Sequence, residues 1–124
     1  MLFNAFLEHC FNFLGGMLIV SLRGDVKEAH SVMEGRYLLL ASNNDDRENY
    51  WIQENGSNAI WHWRLFWIIG NQEDRGRGTE LLAIYSPDHV FNPLLARTWK
   101  YKTSNGNWTI SENVLVEPGN LNFD

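Results

Sequence analysis

From residue 35 onward, apolar residues come in short runs separated by clusters of Asn, Asp, Gly and Pro, the spacing of an antiparallel β meander. The pattern predicts strands over residues 36–41, 50–53, 59–62, 66–69, 80–85, 98–102, 108–110 and 114–117. Two of the joins contain Asn-Gly, at Asn55-Gly56 and Asn105-Gly106; both residue types tolerate positive φ, so each join predicts a hairpin. A tight turn is expected around Arg64, and irregular loops at 42–48, 70–78 and 86–93. No long segment of helical period interrupts the series. The expected fold is therefore all-β, a small antiparallel meander closing into a barrel or a sandwich.

Residues 1–32 read differently. Phe11, Phe13, Leu14, Met17, Leu18, Ile19, Val20 and Leu22 form an apolar run broken by Asn12, Gly15, Gly16 and Ser21. The run is too short and too broken to span a bilayer comfortably. Its length suits the hydrophobic region of a secretory signal, yet Glu8 and His9 stand where positive charge is expected and no A-x-A site follows. The alternatives are a first helix with Phe3, Leu7, Phe11, Leu14 and Leu18 along one side, or a stretch appended by a misassigned start. Residues 23–31 are expected to be a linker or a short helical turn. The division that follows is an apolar N-terminal segment at 1–32, a Trp-rich β domain at 33–118 and a polar tail at 119–124.

The β domain contains all six tryptophans, from Trp51 to Trp108. Strand alternation sets Ala59, Trp61 and Trp63 on one face and Ile60 and His62 on the other, so both faces of the central hairpin carry bulk. Indoles are ordinary core material in a small β domain, but six are hard to bury while giving every ring N–H a partner. Trp63 and Trp51 lie nearest turns and polar neighbours (His62, Arg64, Gln53 and Glu54) and are the first expected at the surface. The candidate ligand contacts are Trp51, Trp61, Trp63, Gln53, Arg64 and Trp99. An indole beside planar polar groups suits a pyranose ring, and suits a protein hot spot equally well.

Composition narrows the classes. A net charge of -5 without a Lys/Arg-rich run argues against nucleic acid as a partner. A membrane partner is expected only if the N-terminal segment is kept as an anchor. The single cysteine, Cys10, excludes an intrachain disulfide and a Cys-based zinc site. His9, His30, His62 and His89 are scattered, with no Ser or Cys nucleophile in a recognisable elbow, so no catalytic residue and no cofactor is assigned. Asp45 and Asp46 lie in an oxygen-rich loop whose order does not match an EF-hand, a weak calcium signal against the plainer reading of a solvated turn. Asn55 and Asn107 head N-x-Ser/Thr sequons at predicted turns.

A set of ordered elements carries a resemblance: Gly35-Arg36-Tyr37-Leu38, Tyr50-Trp51, residues 54–61 ending in Ala59-Ile60-Trp61, Trp67-Ile68-Ile69-Gly70, Ile84-Tyr85-Ser86-Pro87, Pro93, Trp99-Lys100-Tyr101 and Gly106-Asn107-Trp108. Together they resemble a short Trp/Gly-punctuated β module of large multidomain, often extracellular animal proteins. The resemblance spans 33–118 and implies an adhesion or recognition module without a defined activity. It also implies an extracellular or secretory setting, with the cytoplasm as the alternative. This single copy departs from the module's usual repeated setting.

The expected function is non-catalytic recognition of a glycan or a protein surface through exposed aromatic side chains. Its rivals are a small hydrolase or lyase built on a His–carboxylate pair, and a purely structural domain whose tryptophans are all core.

Overall fold

Nine strands form one antiparallel sheet in the computed structural model, which describes residues 16–41, 48–76 and 83–119. They are β1 (Met17–Leu22), β2 (Gly35–Ala41), β3 (Tyr50–Gln53), β4 (Asn58–Trp63), β5 (Phe66–Asn71), β6 (Ile84–Ser86), β7 (Trp99–Lys102), β8 (Trp108–Ser111) and β9 (Val114–Pro118). One short helix, α1 (Gly24–His30), lies between β1 and β2.

From β1 to β8 each strand pairs with the next, and β9 returns to pair with β1. Alternating direction leaves β8 running opposite to β1, and β9 also runs opposite to β1. The last two strands therefore point the same way. Separated only by Glu112 and Asn113, they act as one bent strand that changes partner from β7 to β1. Arg23 N–H holds the bend by donating to the Asn113 carbonyl at 3.1 Å. This exchange of partners brings the sheet around into a nearly closed barrel.

The turns behave as their residues dictate. Arg64 takes φ 56° in the two-residue join of β4 and β5, and Asn55 takes φ 62° between β3 and β4. At the β7–β8 turn Gly106 has φ 85° and donates to Thr103 O, the left-handed glycine of a three-residue hairpin.

Alternate residues of every strand except β8 face inward into one core, among them Leu18, Val20 and Leu22, Tyr37, Trp51, Ile60, Trp67, Ile84, Trp99, Tyr101 and Val116. A barrel of about eight staves encloses just enough room for such side chains to fill it. One end is crossed by α1, which inserts Val26 into the core and whose His30 Nε2 lies 2.7 Å from the Lys102 carbonyl of β7. The other end is crossed by residues 87–98, whose Val90, Leu94 and Ala96 pack on the core. Trp67 Nε1–H donates to Val90 O there at 2.8 Å. Tyr37 donates its buried hydroxyl to Met33 O at 2.6 Å, and burial pushes its pKa above the ordinary tyrosine range.

The all-β expectation is met, and the strand positions agree closely with the turn spacing except at 80–85, where the strand is Ile84–Ser86 and residues 80–82 lie outside the described residues. The boundary at Met33 is not where the fold begins. Residues 17–22 form β1, hydrogen-bonded on both sides, and α1 closes a barrel end, so both are integral to the fold. The reason is alternation: Leu18, Val20 and Leu22 are buried while Met17, Ile19 and Ser21 are less so, a period of two rather than a helical one. Residues 1–15, with the remainder of the apolar run, lie outside the described residues. Among those described, no helix is long and apolar enough to cross a membrane.

Candidate functional site: an outer aromatic row

Parity divides the aromatic residues between two surfaces of the same sheet. Trp51, Trp67 and Trp99 point inward, whereas Trp61, Trp63, Phe66 and Tyr85 stand on the convex outer face. Outside, Ala59, Trp61 and Ile68 are buried beneath a partly covered layer of Tyr50, Ile52, Trp63, Phe66 and Tyr85. Gly70 makes room for this layer: a Cβ there would stand 3.2 Å from Trp61 Cη2. The chain after β5 folds back over it, bringing the Arg75 guanidinium 3.5 Å from the centre of the Tyr50 ring.

A row of rings extends from this layer toward the end of the meander. Trp63 and Phe66 are direct cross-strand partners over the Arg64 turn. Phe66 and Tyr85 have ring centroids 5.3 Å apart, and Tyr85 meets Trp108 edge to face at 4.9 Å. The row thus draws its rings from four strands, β4, β5, β6 and β8, and passes over β7 on the same face. Its far end is open, with Trp108 39% and Ile110 64% exposed. Cations flank it: the Arg64 guanidinium lies 4.5 Å above Trp63 and the Lys100 ammonium 6.0 Å from Tyr85. Rings partly covered by protein and edged by Arg and Lys can bury apolar area on a partner while directing charge to its periphery.

The structure disperses most of the candidate contacts named from sequence. Trp51, expected at the surface, is only 1% exposed and faces the core, as does Trp99, because both occupy inward positions of their strands. Trp61 is on the outer face but buried there. Gln53 is a structural fastener: its amide donates to Val32 O and Glu34 O, both at 2.8 Å, and accepts from Asn58 Nδ2 at 2.9 Å. Only Trp63 and Arg64 of that set reach the outer row. Phe66, Tyr85 and Trp108, which complete the row, were not among those candidates. The pairing of Trp63 with Phe66 follows from a two-residue turn, but nothing local announces that Tyr85 meets Trp108.

His62 and His89 do come together, lining a cavity of about 130 Å³ with Leu65, Val90 and Phe91. The neighbouring acid, Asp88, accepts instead from the backbone N–H groups of Arg97 and Thr98 at 2.6 and 2.9 Å. Desolvation raises its pKa, but these bonds, with those of Ser86 and the Thr98 side chain, outweigh that and hold it below the usual carboxylate value. Among the described residues, no group of three or more His, Cys, Asp or Glu side chains is placed to hold a metal. Asp45 and Asp46 lie outside the described residues, and Asn55 and Asn107 both sit exposed in turns.

The chain matches no known protein family, no curated protein and no solved structure.

Proposed function

We propose that this protein is a non-catalytic recognition module whose contact surface is the outer row Trp63, Phe66, Tyr85 and Trp108. The carrying observation is the continuity of these rings across the sheet, ending in the exposed Trp108 and Ile110. A protein surface is the favoured ligand. Phe66 meets Tyr85 tilted and Tyr85 meets Trp108 edge to face, the exposed end carries an aliphatic side chain, and the flanking groups are Arg and Lys, a combination met at protein hot spots. A glycan is the second reading, favoured by the exposed Trp108 indole beside Asn107, which offers a ring for sugar C–H groups next to a planar amide. An extracellular setting belongs to the same proposal, with the sequons at Asn55 and Asn107 in exposed turns as its support.

The test compares the full chain with Trp108→Ala/Tyr85→Ala, both immobilised, against a glycan array and in protein capture, after circular dichroism has shown both to be folded. A partner retained by the natural chain and lost by the variant supports the surface. A partner held equally by both overturns it.

A further inference from the structure

Alongside α1 lies a cavity of about 310 Å³ that shares no residue with the outer row. Its walls come from two elements distant in sequence. Asp25, Glu28 and Ala29 are spaced so that they share one face of α1. Opposite them are Tyr101, at the end of β7, and Thr103 and Ser104 of the β7–β8 turn. The walls are held in place from outside the cavity. His30 meets the Lys102 carbonyl, Lys27 pairs with Glu34 at 3.4 Å, and Glu34 also accepts from Leu22 N–H at 3.0 Å.

Two observations point to a ligand. Asp25 and Glu28 have no ion-pair partner among the described residues, since the helix's own lysine is engaged with Glu34. Independently, Tyr101 is only 6% exposed, and its hydroxyl has no hydrogen-bond partner among the described residues. A phenol buried to that degree ordinarily finds one. Because no fully buried polar side-chain atom is left unsatisfied, that hydroxyl keeps contact with solvent, in a residue that lines the cavity. The volume falls at the lower end of the range for small-molecule sites, about 300 to 1,000 Å³.

The chemistry of the walls selects the ligand. Two carboxylates call for positive charge, and among the described residues no third His, Cys, Asp or Glu joins them to hold a metal ion. The Tyr101 ring and Ala29 provide apolar surface for carbon. We propose that the cavity between α1 and the β7–β8 turn binds a small organic amine as its ammonium, held by Asp25 and Glu28 with its carbon body against Tyr101. Remaining donors on the ligand meet the hydroxyls of Tyr101, Thr103 and Ser104.

The probe is tyramine, with tyrosol, the same skeleton bearing a hydroxyl in place of the ammonium, as the neutral control. Amide correlation spectra of the isotope-labelled full chain are followed during titration. Tyramine produces saturable shifts grouped on α1 and residues 101–106, and tyrosol does not. Asp25→Asn/Glu28→Gln weakens tyramine about tenfold or more, the effect of removing charge-assisted hydrogen bonds. Tyr101→Phe, which keeps the ring, weakens it several-fold while leaving the spectrum elsewhere unchanged. No saturable shift, equal binding of tyrosol, or unchanged affinity in the folded Asp25→Asn/Glu28→Gln protein overturns the proposal.

Discussion

Trp67 and Trp108 lie on two faces of one sheet and do different work. Trp67 is fully buried, stacks edge-on against Trp51 at 5.9 Å and against His62 at 4.9 Å, and donates its ring N–H to Val90 O. It joins the barrel wall to the loop that closes one end. Trp108 touches Tyr85 and leaves more than a third of its surface in water. The same residue type is structural where every group is satisfied internally, and available for contact where area is left uncovered. Abundance of tryptophan is thus not a measure of binding capacity; the face on which each indole stands decides.

The comparison breaks most readily at its buried side. Trp67→Ala should destabilise the fold by about 3–5 kcal/mol in urea denaturation, because it opens a large cavity and strands the Val90 carbonyl. Trp108→Ala should cost under about 1 kcal/mol in the same measurement. Similar losses in the two would end the distinction. Next in size is Gln53→Leu, which keeps bulk but strands the Glu34 carbonyl and the Asn58 backbone N–H, while Val32 O keeps its bond from Asn58 Nδ2; a loss of about 2–3 kcal/mol is expected. That would place Gln53 with the inner set despite its polar side chain.

Tyr37→Phe should cost about 1 kcal/mol, the hydrogen bond to Met33 O. It also has a pH signature. Burial raises the folded-state pKa of Tyr37, so its contribution is fully present below about pH 10, the ordinary tyrosine value, and falls as pH rises above it. Thermal unfolding followed across alkaline pH should show a shallower decline in the Tyr37→Phe protein than in the natural chain.

The smallest effect concerns Asp88, near the solvent. Its pKa is lowered in the folded state, so its contribution is present above about pH 4 and is lost as pH falls through the folded value. Asp88→Asn should lower neutral stability slightly and flatten the acid limb of the stability profile by the same amount. A larger loss than that from Tyr37→Phe would show that this loop governs closure of the barrel end.

Much of this architecture was legible before folding was considered. Turn residues at Asn55, Arg64 and Asn105-Gly106 located the hairpins, and alternation located the strands, because both are set within a few residues of chain. The same rule was present in Leu18, Val20 and Leu22, but it lay inside a longer apolar run and was read as one piece with it. Surface position was harder to read. Trp51 has polar neighbours in sequence, yet its side chain points into the barrel, on the same face as the buried Gln53.

Sequence by itself determined the element types, the meander and which residues of a strand share a face, since these depend on local backbone chemistry. Tertiary structure decided which face is interior, because that depends on where the ring closes. It closes when the bent strand β8–β9 exchanges β7 for β1, a pairing between residues nearly a whole chain apart. The same closure lays α1 beside Tyr101, whereas Tyr85 meets Trp108 through the pairing of β7 with both β6 and β8. Of the two proposed sites, the cavity beside α1 is therefore the one that depends on the closed barrel.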